Sequence, residues 1–294
     1  MSDNLYKSDS LLDFKMDLES LLDQCVTELP SDLPLQEKIR LIGMLGWTDD
    51  RRTYSLLMQS LEDEKLQEYV VKALAQTTDS RALFPLINLW NQTDSPVIQQ
   101  LILQYPYSTR DPRAQEFLQQ YLTDTNKPYR DIAEQALKTC TGNSDFVYRY
   151  AGSDQAFRDA QTITGQIIVT PDQLTQNQSI MEENQRGVHA EKPQTFIVDG
   201  EGVMYIGGLI NEHVQVARGH DIKSAGEVIF VKSERTWRVE YINNRSNSYY
   251  PHPASFIWAK KYLDQVGVQC SKDHFDEAFP RAGFNDAEFL DLFK

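Results

Sequence analysis

A chain of 294 residues, 40% hydrophobic and 24% charged, is long enough to bury the cores of two ordinary globular domains. With 43 acids against 29 bases it carries a formal charge of −14. That balance serves solubility, argues against nucleic acid as a partner, and favours a protein partner of basic or mixed charge. No apolar run reaches the ~18 residues that a membrane span needs. Cys25, Cys140 and Cys270 are far apart and form no CxxC pair, so neither a disulfide framework nor a metal site is expected.

The first segment, MSDNLYKSDSLLDFKMDLESLLDQC, spaces its apolar residues as a helix does and lacks the plan of a secretory signal. A cytoplasmic protein is the expectation, although delivery into another cell by a signal-less secretion machine would leave the same sequence. The helix over 10–29 is expected to cap the N-terminal end of a helical stack.

Residues 34–140 repeat at a period of about thirty residues. WTDDRRTYSLLMQSLEDEKLQEYVVKALAQ, TTDSRALFPLINLWNQTDSPVIQQLILQ and TRDPRAQEFLQQYLTDTNKPYRDIAEQAL each open on an acid and an arginine. These pairs are Asp50 and Arg51, Asp79 and Arg81, and Asp111 and Arg113. Each segment then runs through an apolar-periodic helix, breaks at a polar turn and resumes as a second helix. Predicted core residues are Leu56, Leu57, Leu83, Leu86, Phe117 and Leu118 on first helices. Second helices supply Val70, Val71 and Leu74, then Val97, Leu101 and Ile102, then Ile132, Ala136 and Leu137. A single helical hairpin cannot bury both stripes, so neighbours must stack. Thr78 or Asp79, and Asp94 or Ser95 before Pro96, supply helix-start chemistry. The pattern resembles HEAT repeats in a short, degenerate form, in which the acid and arginine clamp adjacent hairpins.

After Cys140 the turn cluster TGNSD marks the boundary between a helical domain, 1–142, and a second domain, 143–294. A strand (146–150), a helix (153–161) and a strand (163–169) are predicted, then a polar stretch, 171–193, without clean periodicity. Strands follow at 194–199, 202–208, 212–217, 226–231 and 236–242, with hairpins at Asp199–Gly202 and Lys232–Arg235. Helices are expected at 253–266, 272–279 and 285–293. The fold class is therefore an N-terminal helical-hairpin solenoid followed by an α+β domain with an antiparallel sheet.

Within that second domain, ARGHDIKSAGEVIFVKSERTWRVEYINNRSNSYYP resembles a module of uncharacterised bacterial and fungal proteins and of plant IQ-motif calmodulin-binding proteins. The matching positions are His213, Gly219, Ala225, Gly226, Glu227, Asn243, Asn244, Ser246, Tyr249 and Pro251. Val214 stands where the module has serine, Asn247 and Ser248 replace its Gly-His step, and no IQ-like basic helix is present. The resemblance implies a shared fold and no reaction. His213, Asn243, Asn244, Ser246 and Tyr249 are the candidate ligand-binding residues, and Tyr249 with Tyr250 could form an aromatic rim.

FVYRYAGSDQAFRDAQTITGQI resembles the opening of bacterial ADP-ribosyltransferase toxins. That likeness implies Arg149 as the residue holding a nicotinamide dinucleotide (NAD) and Glu227 as the late catalytic glutamate. No Ser-Thr-Ser strand stands at 194–208 to complete the family's pocket. Bottom-up, Arg149 can grip a phosphate or pair with an acid, and Glu227 can be aimed into a cleft or guard a sheet edge. No GxGxxG follows a strand, and neither GxxxxGK[ST] nor GxSxG occurs.

The leading expectation is a cofactor-free interaction protein: an adaptor, inhibitor or immunity-type chain. Its acidic helices would hold a protein partner, and the α+β domain would bind a second ligand. The alternative is an ADP-ribosyltransferase-like enzyme using NAD, with the helices as its targeting module.

Overall fold

The acid and arginine that open each repeat act as helix starts. A computed structural model describes residues 19–29, 32–48, 50–179, 193–207, 212–233 and 236–276. In it, Asp50, Asp79 and Asp111 each sit in extended backbone and accept the amide two residues on, from Arg52, Arg81 and Arg113. A short carboxylate at this position satisfies one of the orphan N–H groups of the first helical turn. The helices of this half are α1 (19–28), α2 (Leu35–Leu45), α3 (Arg51–Ser60), α4 (Gln67–Thr77), α5 (Leu83–Gln92), α6 (Pro96–Thr109), α7 (Gln115–Gln119) and α8 (Lys127–Cys140). The chain divides into two compact units, Met1–Thr109 with Tyr121–Ala136 as one, and Arg110–Gln120 with Leu137–Lys294 as the other.

In the helical unit, α4 packs on both α2 and α6. Leu57, Val70, Val71, Leu74, Leu83 and Leu86 are buried as the periodicity requires. The stripe of α6 departs from expectation. Ile98, Ile102 and Tyr105 face inward, while Val97 is 49% exposed. The helix begins at Pro96, with the Ile98 amide on Ser95 Oγ (3.4 Å), and from that start the i, i+4, i+7 series falls on Ile98. On α8, Tyr129, Ala133, Ala136 and Cys140 are buried in place of Ile132 and Leu137.

The clamps differ from repeat to repeat. Arg81 wraps Asp79, its Nε and Nη2 donating to the carboxylate at 2.6–3.1 Å, with the two side chains only 3% and 5% exposed. Its Nη2 also donates to the Arg51 carbonyl (3.2 Å), tying this hairpin to the preceding one. The Tyr54 ring lies 4.1 Å beneath the guanidinium, and the Tyr105 hydroxyl donates to the Asp79 carbonyl. Arg113 holds Asp111 with the same 2.6–3.1 Å geometry. In the first repeat the partner of Asp50 is Arg52, two residues on, rather than Arg51. That pair is solvated, at 48% and 23% exposure, and Arg52 reaches Glu19 as well.

The second unit holds a six-stranded sheet in the order β1-β3-β2-β4-β5-β6. The strands are β1 (Ile167–Ile168), β2 (Gln194–Asp199), β3 (Met204–Ile206), β4 (Ile222–Ser233), β5 (Thr236–Asn243) and β6 (Phe275–Asp276). All pairings are antiparallel except β5 with β6, so the sheet is mixed. Around it are α9 (Asp154–Ala160), α10 (Pro171–Gln176), α11 (His213–Val216) and α12 (Phe256–Val266). One sheet face packs Phe196, Val198, Val228 and Ile242 with Phe256, Ala259 and Leu263 of α12. The other packs Ile197, Ile222 and Ala225 with Tyr148, Tyr150, Tyr249 and the valines of α11.

Several segments differ from their predicted form. Residues 146–150 reduce to one bridge, Tyr148 opposite Ile222. The predicted strand 212–217 is the helix α11. Its alternating Val214 and Val216 mimic a strand, but Gly219, at φ +75°, returns its amide to the Val214 carbonyl and closes the helical turn locally. The polar stretch after residue 170 begins as α10, capped by Thr170, and its residues 180–192 lie outside the described residues. The expected helix 272–279 starts as a 3₁₀ turn, Lys272–His274, and passes into β6. Its remainder, the helix at 285–293 and the hairpin tip 234–235 also lie outside. No helix among the described residues is long and apolar enough to cross a membrane.

Removing one member of a buried ion pair strands the other charge, whereas a solvated pair is dispensable. Arg81→Met is therefore expected to cost about 3–5 kcal/mol and Arg52→Met under about 1 kcal/mol, read as shifts in urea unfolding. Equal shifts would mean that burial gives the Asp79–Arg81 clamp no special hold on the stack.

Candidate functional site

His213, Gly226, Glu227 and Asn243, four of the candidate positions singled out in the sequence, meet where β4 passes β5. A side chain at Gly226 would put its Cβ 1.9 Å from the Asn243 carbonyl oxygen, so only glycine lets the two backbones approach this closely. Asn243, fully buried, spends both ends of its amide there. Its Oδ1 accepts the amides of Glu227 and Arg245 (2.9 Å each), and its Nδ2 donates to Glu227 Oε2 (2.8 Å) and the Tyr241 hydroxyl (2.9 Å). Tyr241 in turn reaches Asp276 (3.3 Å). Asn244 Nδ2 donates to the Pro251 carbonyl (2.8 Å) and pins the 243–252 loop across its base.

His213 closes the module from α11. Its Nε2 lies 3.0 Å from the Gly226 carbonyl. A carbonyl can only accept, so Nε2 carries the proton. Burial pushes the imidazole down to about 4 from its ordinary 6.5, leaving it neutral near pH 7.

The predicted loop is an internal brace in place of an open rim. Tyr249 is fully buried, its hydroxyl donating to the His220 carbonyl (3.0 Å), and Tyr250 is buried beside it. Arg113 Nη1 reaches the Tyr249 carbonyl (3.4 Å), and its guanidinium lies 5.5–5.6 Å from the Phe146 and Tyr148 ring centres. Ser246 is buried too, and its hydroxyl has no hydrogen-bond partner among the described residues.

Arg149 and Glu227 do not meet. Tyr148 pairs with Ile222, which sets Arg149 beside Asp221 in a partly exposed ion pair (3.5 Å). Glu227 sits in mid-strand opposite Thr195, five residues beyond Ile222 and so roughly 16 Å along β4. Its carboxylate is engaged by Asn243. The pair that the toxin resemblance implies for a nicotinamide dinucleotide is thus split between two places. His189 lies outside the described residues, and His252 caps a 3₁₀ turn through Nδ1 to the Ala254 amide (3.1 Å). No group of three or more His, Cys, Asp or Glu among the described residues could hold a metal.

A different concavity lies in the helical unit. A groove of about 640 Å³ runs between the α3–α4 turn and the α5–α6 turn, with Leu89 and Ile98 in its lining and Glu64, Glu68, Tyr69 and Asp94 around it. Its signal in the sequence is the acid-rich LEDEKLQE at 61–68, one repeat before Asp94. Linear reading gives both stretches as turns, without showing that they flank one cleft. Large apolar side chains are exposed on the same unit, among them Trp47 (79%), Val26 (58%) and Tyr107 (55%).

Residues 54–138 match the family model of HEAT repeats, from within α3 to within α8. HEAT repeats generally mediate protein–protein interaction. No curated protein matches the chain.

Two substitutions test the module as a structural lock. Gly226→Ala is expected to cost more than about 3 kcal/mol, the upper end of ordinary overpacking, because backbone rather than a movable side chain blocks the new methyl. For His213, the unfolded chain takes up a proton near pH 6.5 and the folded one only near 4. Its contribution is intact above about 6.5 and declines as pH falls through that window, by on the order of 2–3 kcal/mol. His213→Gln should flatten that decline in stability–pH curves. Parallel curves for the two proteins would mean that the imidazole titrates alike folded and unfolded.

Proposed function

We propose that this chain is an interaction protein whose helical unit holds a protein partner of basic or mixed charge, in the manner of an adaptor or of an inhibitor that occludes its target. The observation that carries this reading is the HEAT-repeat match over 54–138, because stacked helical hairpins expose long continuous surfaces suited to another protein. Two further features support it. The chain's charge of −14 speeds encounter with cationic surfaces. The exposed Trp47 and Tyr107 are of the residue types that anchor interfaces. Within the 243–252 loop, Asn243, Asn244 and Tyr249 spend their polar groups internally, which favours a bracing role for them over a ligand contact.

The test is capture of a partner by the intact chain from extract of its own cells, followed by hydrogen–deuterium exchange on the purified complex. Protection is expected to concentrate within 35–138, with affinity falling between 50 and 300 mM salt as surface charges are screened. Trp47→Ala should weaken binding by at least about tenfold without lowering the melting temperature, since its side chain is solvated. Protection confined to 193–276 would sink the proposal.

A further inference from the structure

We infer that residues 110–120 are a strap through which the helical unit governs the 243–252 loop, with Arg113 as its latch. None of the contacts involved depends on the partner proposed above. One repeated motif is put to a new use here. In the second repeat Arg81 spends its spare donor on the Arg51 carbonyl of the preceding hairpin. At the equivalent place Arg113 spends it on the Tyr249 carbonyl (3.4 Å). The loop is thus fastened by the device that elsewhere fastens one hairpin to the next.

The latch holds the loop on both sides of Pro251. Arg113 and Asp111 form a buried pair, both side chains nearly solvent-free, so the guanidinium is confined to protein surroundings. Besides reaching the Tyr249 carbonyl, it lies 5.5 Å from the centre of the Tyr148 ring, and the Tyr148 hydroxyl accepts the His252 amide (3.1 Å). One arginine therefore fixes the loop directly before the proline and through a tyrosine after it.

What is held is a strained conformation. Tyr250 is buried and has φ +50°, a region in which a bulky side chain is disfavoured. Such an angle persists only while the surroundings enforce it. The Tyr249 carbonyl belongs to the very peptide group whose rotation changes φ of Tyr250. Without the Arg113 contact that peptide can turn back to negative φ, and the buried rings of Tyr249 and Tyr250 lose their seats.

Both ends of the strap belong to the helical unit. The chain leaves that unit after Thr109, the last residue of α6, and rejoins it at Tyr121. The Tyr121 ring packs edge-on against Trp90 of α5, with centroids 4.8 Å apart. A displacement of α5 or α6 is carried by these ties into the segment that bears Arg113.

The experiment is hydrogen–deuterium exchange on the intact chain. Arg113→Lys keeps a cation for Asp111 but loses the guanidinium fork. In that variant the amides of 244–252 are expected to exchange at least about tenfold faster, while those of the β4–β5 hairpin change less than about twofold. Tyr121→Ala unties the strap within the helical unit and should accelerate the same loop amides by at least about threefold. In the double variant it should add nothing further, since the latch is already open. Tyr121→Ala carries the test by itself if Arg113→Lys does not fold.

Unchanged loop exchange in Arg113→Lys would overturn the inference. Equal acceleration of loop and hairpin would do so too, because it signals general loss of stability instead of release of the loop. Acceleration by Tyr121→Ala confined to 35–138 would show that the helical unit does not govern the loop. Additive effects in the double variant would mean two independent contacts and no strap.

Discussion

The buried aspartate–arginine pair at the start of a hairpin is the interaction on which the helical half depends. A carboxylate that caps its own helix and also binds a guanidinium two residues on would be worth little in water. At Asp79 and Arg81 both groups are nearly solvent-free, so each is indispensable to the other. The arginine has donors to spare, and it uses one on the Arg51 carbonyl of the preceding hairpin. The same few atoms thus start a helix, satisfy a buried charge and fix the spacing between repeats.

The first and third copies show what the environment does to one motif. At Asp50 the pair is solvated and shared with Glu19, a surface network of small worth. At Asp111 the geometry of Asp79 is reproduced, but Arg113 turns to the rings of Phe146 and Tyr148 and to the Tyr249 carbonyl. The stretch 110–120 accordingly groups with the sheet-bearing unit, although its sequence belongs to the repeat.

In the sheet unit the comparable constraint is the contact of Gly226 with the Asn243 backbone. Two chains this close leave no water between them, so the polar groups nearby must satisfy one another. Asn243 does so with four hydrogen bonds, and His213 does so as a neutral imidazole on the Gly226 carbonyl. Polar residues that look like a binding loop in the sequence are the means by which a close strand crossing is made dry. The groove in the helical unit is the opposite case, with carboxylates and an aromatic ring left facing solvent.

What the sequence by itself determined was local and periodic. The thirty-residue repeat, the caps at Asp79 and Ser95, the β4–β5 hairpin and α12 all follow from spacings of a few residues, where backbone hydrogen bonding and side-chain periodicity decide the outcome. The candidate positions of the sheet unit were legible as residue types. Only the tertiary structure decided which way they face: Tyr249 inward, Glu227 onto Asn243, Arg149 onto Asp221, and Asp50 onto Arg52 instead of leaving it to Arg51. It alone made α11 a helix, added β6 in parallel, and brought the 61–66 and 93–95 turns together around a groove. Burial and the pairing of distant strands depend on which surfaces remain after packing, and no window of neighbouring residues contains that information.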